Sequence, residues 1–162
     1  MLIRPENLDL KKIFPKGLDE VQIQPNGIDL TVLQIESFRS SGVIGFTDRV
    51  KPETEVIYNP CCETARGYEL KPTESAYLIR YAEYVRIPND LIALVYPRSS
   101  LMRMGATIYT AVWDSGYEGR GVGLLKVFNP ITIKYRARVA QMIFLECNRG
   151  RTYNGEYKYE TE

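Results

Sequence analysis

The stretch YPRSSLMRMGATIYTAVWDSGYEG, Tyr96 to Gly119, decides how this chain folds and what chemistry it can carry. Between Ser100 and Gly105 there is room for one helical turn, Leu101 to Met104, and no more. From Gly105 onward the residues are apolar, β-branched or aromatic as far as Trp113. Such a run, closed by Asp114-Ser115-Gly116, reads as a strand over Thr107 to Trp113 that delivers one carboxylate into a glycine turn.

Working outward, the same pattern recurs. Short apolar runs, rich in β-branched and aromatic residues, are separated by Gly, Pro and Asn. Strands are expected over Ile28 to Ile35, Glu55 to Tyr58, Ala76 to Tyr81, Tyr84 to Ile87 and Leu91 to Tyr96. Further strands are expected over Gly123 to Phe128, Ile131 to Tyr135 and Val139 to Glu146. Pro88-Asn89 and Asn129-Pro130 mark turns. Only Glu6 to Phe14 has helical character beyond the turn at Leu101. The chain is therefore expected to be all-β, a compact barrel or jelly roll with one or two short helical turns.

The chain has 162 residues, enough for one domain with a substantial core. Its formal net charge of +1 excludes a generally basic, nucleic-acid-binding surface. No apolar run is long enough to cross a bilayer and residues 1–13 show no signal-peptide pattern, so no membrane partner and a cytoplasmic location are expected. The sequence contains no histidine, which removes Ser-His-Asp, Cys-His and His-x-Glu zinc mechanisms. Three cysteines, the adjacent Cys61-Cys62 and a distant Cys147, lack the spacing of a zinc ribbon or a disulfide framework and are read as reduced thiols.

Residue chemistry singles out a few positions. Arg98, Ser99 and Ser100 combine a bidentate guanidinium with two compact hydroxyls, a set suited to phosphate oxygens. The plain alternative is a turn whose serines cap the helix after it. Asp114, ionised at neutral pH, could orient a water by position rather than by basicity; otherwise it is a turn residue favoured by its local hydrogen bonds. Gln141, in an otherwise apolar strand, needs a partner if buried, or lies on an exposed edge.

Four stretches, QPNGIDL (Gln24 to Leu30), PRSSLMR (Pro97 to Arg103), TAVWDSGYEG (Thr110 to Gly119) and ARVAQMIF (Ala137 to Phe144), occur in an order that resembles the dUTPase and dCTP deaminase superfamily, more closely its archaeal-type dUTPase branch. The resemblance implies the superfamily's distorted jelly roll, a β-clip barrel over residues 1–147. It also implies a carboxy-terminal arm, 148–162, that closes over the active site, and a homotrimer whose active sites are shared between subunits.

For the site, the resemblance implies Arg98, Ser99, Ser100 and Gln141 on substrate phosphates, with Arg103 touching substrate or a neighbouring subunit. Asp114 would hold the 3′-hydroxyl and orient the attacking water. Tyr117 would pack on the deoxyribose and disfavour a 2′-hydroxyl. The backbone around Thr110 and Ala111 would read uracil, and Asp29 with Arg138 would order the site. The tail, CNRGRTYNGEYKYETE, departs from the glycine-rich, phenylalanine-bearing arm of many dUTPases. Arg149 and Arg151 supply cations there, and either Tyr153 or Tyr157 could stack on the base. Mg²⁺ is implied as cofactor, carried by the substrate phosphates rather than by protein ligands.

Two reactions compete within the superfamily. Deaminases of this kind place a glutamate on the strand after the glycine turn, where this chain has Lys126. That departure favours hydrolysis of dUTP to dUMP and pyrophosphate over dCTP deamination. The alternatives are a deaminase, mono- or bifunctional, a pyrophosphatase of broader base specificity, or a non-catalytic deoxynucleotide-binding regulatory module.

Overall fold

The computed structural model describes residues 1–59, 67–73, 76–148 and 150–159. Among them, seven strands have four residues or more: β1 Gly27–Phe38, β2 Thr54–Tyr58, β3 Tyr77–Tyr81, β4 Leu91–Pro97, β5 Ala106–Tyr109, β6 Val122–Val127 and β7 Arg138–Glu146. Two α-helical turns, α1 Leu10–Ile13 and α2 Ser99–Arg103, accompany them. The expected all-β fold is present, with the helical turns where the sequence had room for them.

The main sheet runs β4-β7-β1-β3-β6-β5 and every pairing in it is antiparallel. Its curl comes from β1. The first part of this strand, Ile28 to Thr31, pairs with β7, whereas Ile35 to Phe38 lies between β2 and β3. Register shifts at Arg138/Ala140, Val32/Gln34 and Ile35/Glu36 bend the ladder at these crossings, as bulges do. The result is a rolled sheet of the jelly-roll-like kind, supplemented by small pairs such as Val43–Ile44 with Arg49–Val50 and Ile131–Ile133 with Tyr68–Leu70.

Period-two alternation decides which side chains enter the core. Leu91, Ala93 and Val95 of β4 point inward, as do Tyr77, Ile79 and Tyr81 of β3, and Met142 and Phe144 of β7. Each fully buried large apolar side chain contributes about 1.5–3 kcal/mol by leaving water. On β1 the alternation has a second consequence. Ile28, Leu30 and Val32 fill the core, so Asp29 and Thr31 face the other way, yet they too are buried. Both must find polar partners, and both do.

Three expected boundaries need correction. The strand expected over Thr107 to Trp113 stops at Tyr109, and Trp113 makes only an isolated bridge with Ala93. The intervening residues leave the ladder because Thr110 donates its hydroxyl to the Val95 carbonyl at 2.7 Å and draws the chain toward β4. The strand expected over Tyr84 to Ile87 shortens to Val85–Arg86, and that over Ile131 to Tyr135 ends at Ile133, before Arg136 adopts φ 53°. Glu6 to Phe14 divides into a 3₁₀ turn, Pro5–Asn7, and α1, which Asp9 caps by accepting from the Lys12 amide at 3.3 Å. Cys61 and Cys62 lie outside the described residues; Cys147 is a free thiol with its Sγ 3.3 Å from Ser115 Oγ.

Candidate active site

The sequence-predicted residues fall into two clusters. The first surrounds Asp29, whose residue is fully buried. Its Oδ2 lies 3.1 Å from Arg98 Nε and 3.2 Å from Arg138 Nη1, and its Oδ1 accepts from Gln141 Nε2 at 3.3 Å. The register explains the meeting. Gln141 stands directly opposite Asp29 across β7–β1 and opposite Tyr96 across β7–β4, so three of the four motifs share one point of the sheet. A buried carboxylate is tolerated only when compensated, and two guanidiniums and an amide compensate this one. Strand β7 is internal, between β4 and β1, so Gln141 is not on an exposed edge.

Arg98 precedes α2, with Ser99 and Ser100 its first two residues. Arg98, rather than a serine, occupies the capping position, and no side chain caps the turn. The serine hydroxyls are thus not spent as caps. Arg103 is exposed at the end of the same turn.

The second cluster lines a cavity of about 530 Å³, and it includes Asp114, Tyr117, Ala111, Tyr153 and Tyr157. The glycine turn carrying Asp114 is pinned on both sides of Ile87: the Gly116 amide donates to the Ile87 carbonyl at 3.0 Å and the Ile87 amide to the Tyr117 carbonyl at 2.8 Å. Gly116 has φ 78°, which favours glycine, and a Cβ there would press on Thr152 at 3.0 Å. The Asp114 side chain projects from this turn, exposed, and has no partner among the described residues.

Trp113 forms the apolar wall behind it. The indole meets Tyr117 edge-on with centroids 5.1 Å apart and lies so close over Gly121 that any Cβ there would overlap it. Tyr117 is only 8% exposed, so it both fills the core margin and faces the cavity. Its other side meets Tyr153, centroids 5.5 Å apart. Tyr153 belongs to the tail, which is laid along the turn: its amide donates to the Ser115 carbonyl at 2.7 Å, and the Tyr159 amide to the Glu118 carbonyl at 2.6 Å. Both candidate tyrosines line the cavity, with the Tyr157 amide donating to the Tyr153 hydroxyl at 3.1 Å. Arg149 is outside the described residues, and Arg151 is exposed.

Sequence reasoning missed Arg49 and Glu156. Both line the cavity, and Arg49 Nε lies 2.6 Å from Glu156 Oε2 while Lys51 Nζ lies 2.9 Å from Oε1. The Lys51 ammonium and then the Arg49 guanidinium hold the Glu156 carboxyl below its usual range, and Glu156 in turn raises Arg49. Arg49 stands 65 positions ahead of Asp114 in an unremarkable hairpin, so no local signal points to it. Lys126, on β6 opposite Thr107, is half-buried and does not line the cavity.

The two clusters are separate within one chain. Asp29, Arg98, Arg138 and Gln141 are not among the residues that line the cavity. Among the described residues, no group of three or more His, Cys, Asp or Glu is arranged as a metal site, and no helix is long and apolar enough to cross a membrane.

Comparison with known proteins fits this geometry. The chain is 44% identical over 132 residues to the deoxyuridine 5′-triphosphate nucleotidohydrolase of Methanocaldococcus jannaschii, covering 80% of this chain and 82% of that one. It is 38% identical over 138 residues to an Aeropyrum pernix protein named as a probable enzyme of the same kind, covering 81% of each. The fold superposes with a TM-score of 0.61 on a 2′-deoxycytidine 5′-triphosphate deaminase from Agrobacterium tumefaciens, at 22% identity over 82% of this chain and 42% of that one. The profile of the dCTP deaminase-like family matches residues 5–147. With that match over most of its length, the chain belongs to the dCTP deaminase-like family.

Proposed function

We propose that this protein is a dUTP diphosphatase that hydrolyses dUTP to dUMP and pyrophosphate. The observation that carries the reading is the placement of Asp114 and Tyr117 on one wall of an apolar cavity, beneath a tail that brings Tyr153 against Tyr117. A sugar ring against Tyr117 would set its 3′-hydroxyl toward Asp114, whose unpartnered carboxylate is available to accept from it and to orient a water at the α-phosphorus. The relatives named as deoxyuridine triphosphate hydrolases support the same substrate. Lys126 lies away from this cavity, so hydrolysis rather than deamination is supported by the relatives named as deoxyuridine triphosphate hydrolases and not by that position.

Arg98, Ser99, Ser100 and Gln141 would stabilise the phosphates, and their absence from the cavity lining of their own chain supports a homotrimer in which a second copy supplies them. Arg103, exposed beside them, would contact substrate or that second copy. Mg²⁺ would ride on the phosphates with water completing its shell; the Asp114 oxygens suit such a hydrated hard cation. The arm, 148–162, would shut the cavity, and a cytoplasmic location would suit an enzyme that acts on free nucleotides. The test is product analysis with Mg²⁺ and, separately, dUTP, dCTP, dTTP and UTP, with an EDTA control. Pyrophosphate and dUMP from dUTP alone, abolished by EDTA, is the expected result. Deamination of dCTP would replace this reading with the deaminase one, and binding of dUTP without turnover would replace it with the regulatory module.

A further inference from the structure

We infer that Arg49 is a further substrate-binding residue, paired with Glu156 when no nucleotide is bound, and that Glu156 stands in for a phosphate group and gives way to the triphosphate. The inference rests on the nucleotide reading of the cavity. Arg49 is the only cation lining that cavity among the described residues, and two carboxylates, Asp114 and Glu156, line it too. A polyanion entering would meet net negative charge unless one carboxylate withdrew. Glu156 is the one that can. Its side chain is 43% exposed and the Arg49 side chain 51%, and an ion pair this exposed to water is weakly held. A phosphate offers the same guanidinium a stronger, bidentate partner.

Lys51 makes the exchange reversible. It holds the other oxygen of Glu156 at 2.9 Å, and its ammonium lies 4.4 Å from the Tyr157 ring centroid. Glu156 can therefore release Arg49 without the tail leaving the hairpin Val43 to Val50. Arg49 also lies near that ring, its guanidinium carbon 5.5 Å from the centroid, beside the cavity that both residues line.

A latch that only fastened the tail would predict something different. Removing either partner would then weaken every ligand alike. Exchange predicts opposite signs. Trp113, the only tryptophan and a cavity wall, supplies the fluorescence signal for titrating the full-length protein with α,β-imido-dUTP and with dUMP in Mg²⁺. Arg49→Ala should weaken the triphosphate analogue by about tenfold, the loss of one charged contact, and change dUMP far less. Glu156→Gln should tighten the analogue and leave dUMP unchanged. Weakening of both ligands in both variants would overturn the exchange and leave a latch. An unaltered protein that binds neither ligand would remove the nucleotide reading and this inference with it, whereas binding unaffected by Arg49→Ala would remove the inference alone.

Discussion

Tyr153 meets the ring of Tyr117 at an interplanar angle of 64°, with centroids 5.5 Å apart, so a residue of the tail completes the wall of the cavity that holds Asp114. Edge-to-face pairs contribute about 0.5–1.5 kcal/mol beyond their buried area. Tyr153→Leu is expected to raise KM for dUTP by about two- to tenfold on that scale, with a smaller change in kcat. Steady-state kinetics check this, and unchanged KM would mean that the tail does not contribute to the site.

Asp114→Asn tests the catalytic role proposed for this carboxylate. The side chain is exposed and unpartnered, so the substitution should leave stability within about 0.5 kcal/mol. Turnover should nonetheless fall by about a hundredfold or more, the ordinary contribution of a positioned acid or base. Near-normal turnover in a folded variant would remove Asp114 from the mechanism.

Asp29→Ala should behave in the opposite way, as a failure of structure first. It would leave Arg98 and Arg138 without their shared counter-ion inside the sheet. A loss of about 2–3 kcal/mol is expected, moderated because both arginines are partly exposed. Urea denaturation measures it; a loss below about 0.5 kcal/mol, the level of an ordinary surface substitution, would show the cluster to be dispensable to the fold.

Glu83 is expected to tilt the pH dependence of stability. Burial pushes its carboxyl above the ordinary 4.5, against hydrogen bonds from Thr31 and Gln22. Between 4.5 and the folded value, the folded state binds more protons than the unfolded chain, so stability falls as pH rises through that window. Glu36 runs the other way. Burial raises it, but donors from Thr54, Gln34 and Arg80 outweigh burial and bring it below 4.5, so its stabilisation is complete above 4.5 and is lost as pH falls through the folded value. Thermal melts of Glu83→Gln should lose the decline above pH 4.5 and keep the acid limb; a persisting decline would assign it to another group.

Gly121→Ala should show how tightly the cavity wall is packed. The added methyl overlaps the Trp113 indole, which could relieve the overlap only by moving toward the cavity or the core. Overpacking of this kind costs about 1–3 kcal/mol, and kcat/KM for dUTP should fall with stability. Calorimetry and kinetics on the same preparation would reveal whether the glycine is required.

Much of this protein was legible residue by residue. Short β-branched runs punctuated by Gly and Pro are enough to specify strands, because period-two alternation and turn chemistry are local. The boundaries that failed, at Tyr109, Arg86 and Ile133, are those where a tertiary hydrogen bond or a backbone turn overrides local preference. Asp114, Tyr117 and Gln141 could be named in advance because their motifs are contiguous in sequence.

The pairing of Asp29 with Arg138 was expected from their motifs and is present, but chain order could not reveal that Arg98 and Gln141 join them. Alternation along β1 turns Asp29 away from the core, and register with β7 and β4 then sets Arg98, Arg138 and Gln141 around it. Arg49 and Glu156, 107 positions apart, meet because the tail returns across the hairpin. The sequence by itself determined strand content and the reactive groups, since those depend on neighbours along the chain. Only the tertiary structure decided their grouping into a buried cluster and an open cavity, since that depends on long-range strand pairing and the path of the tail.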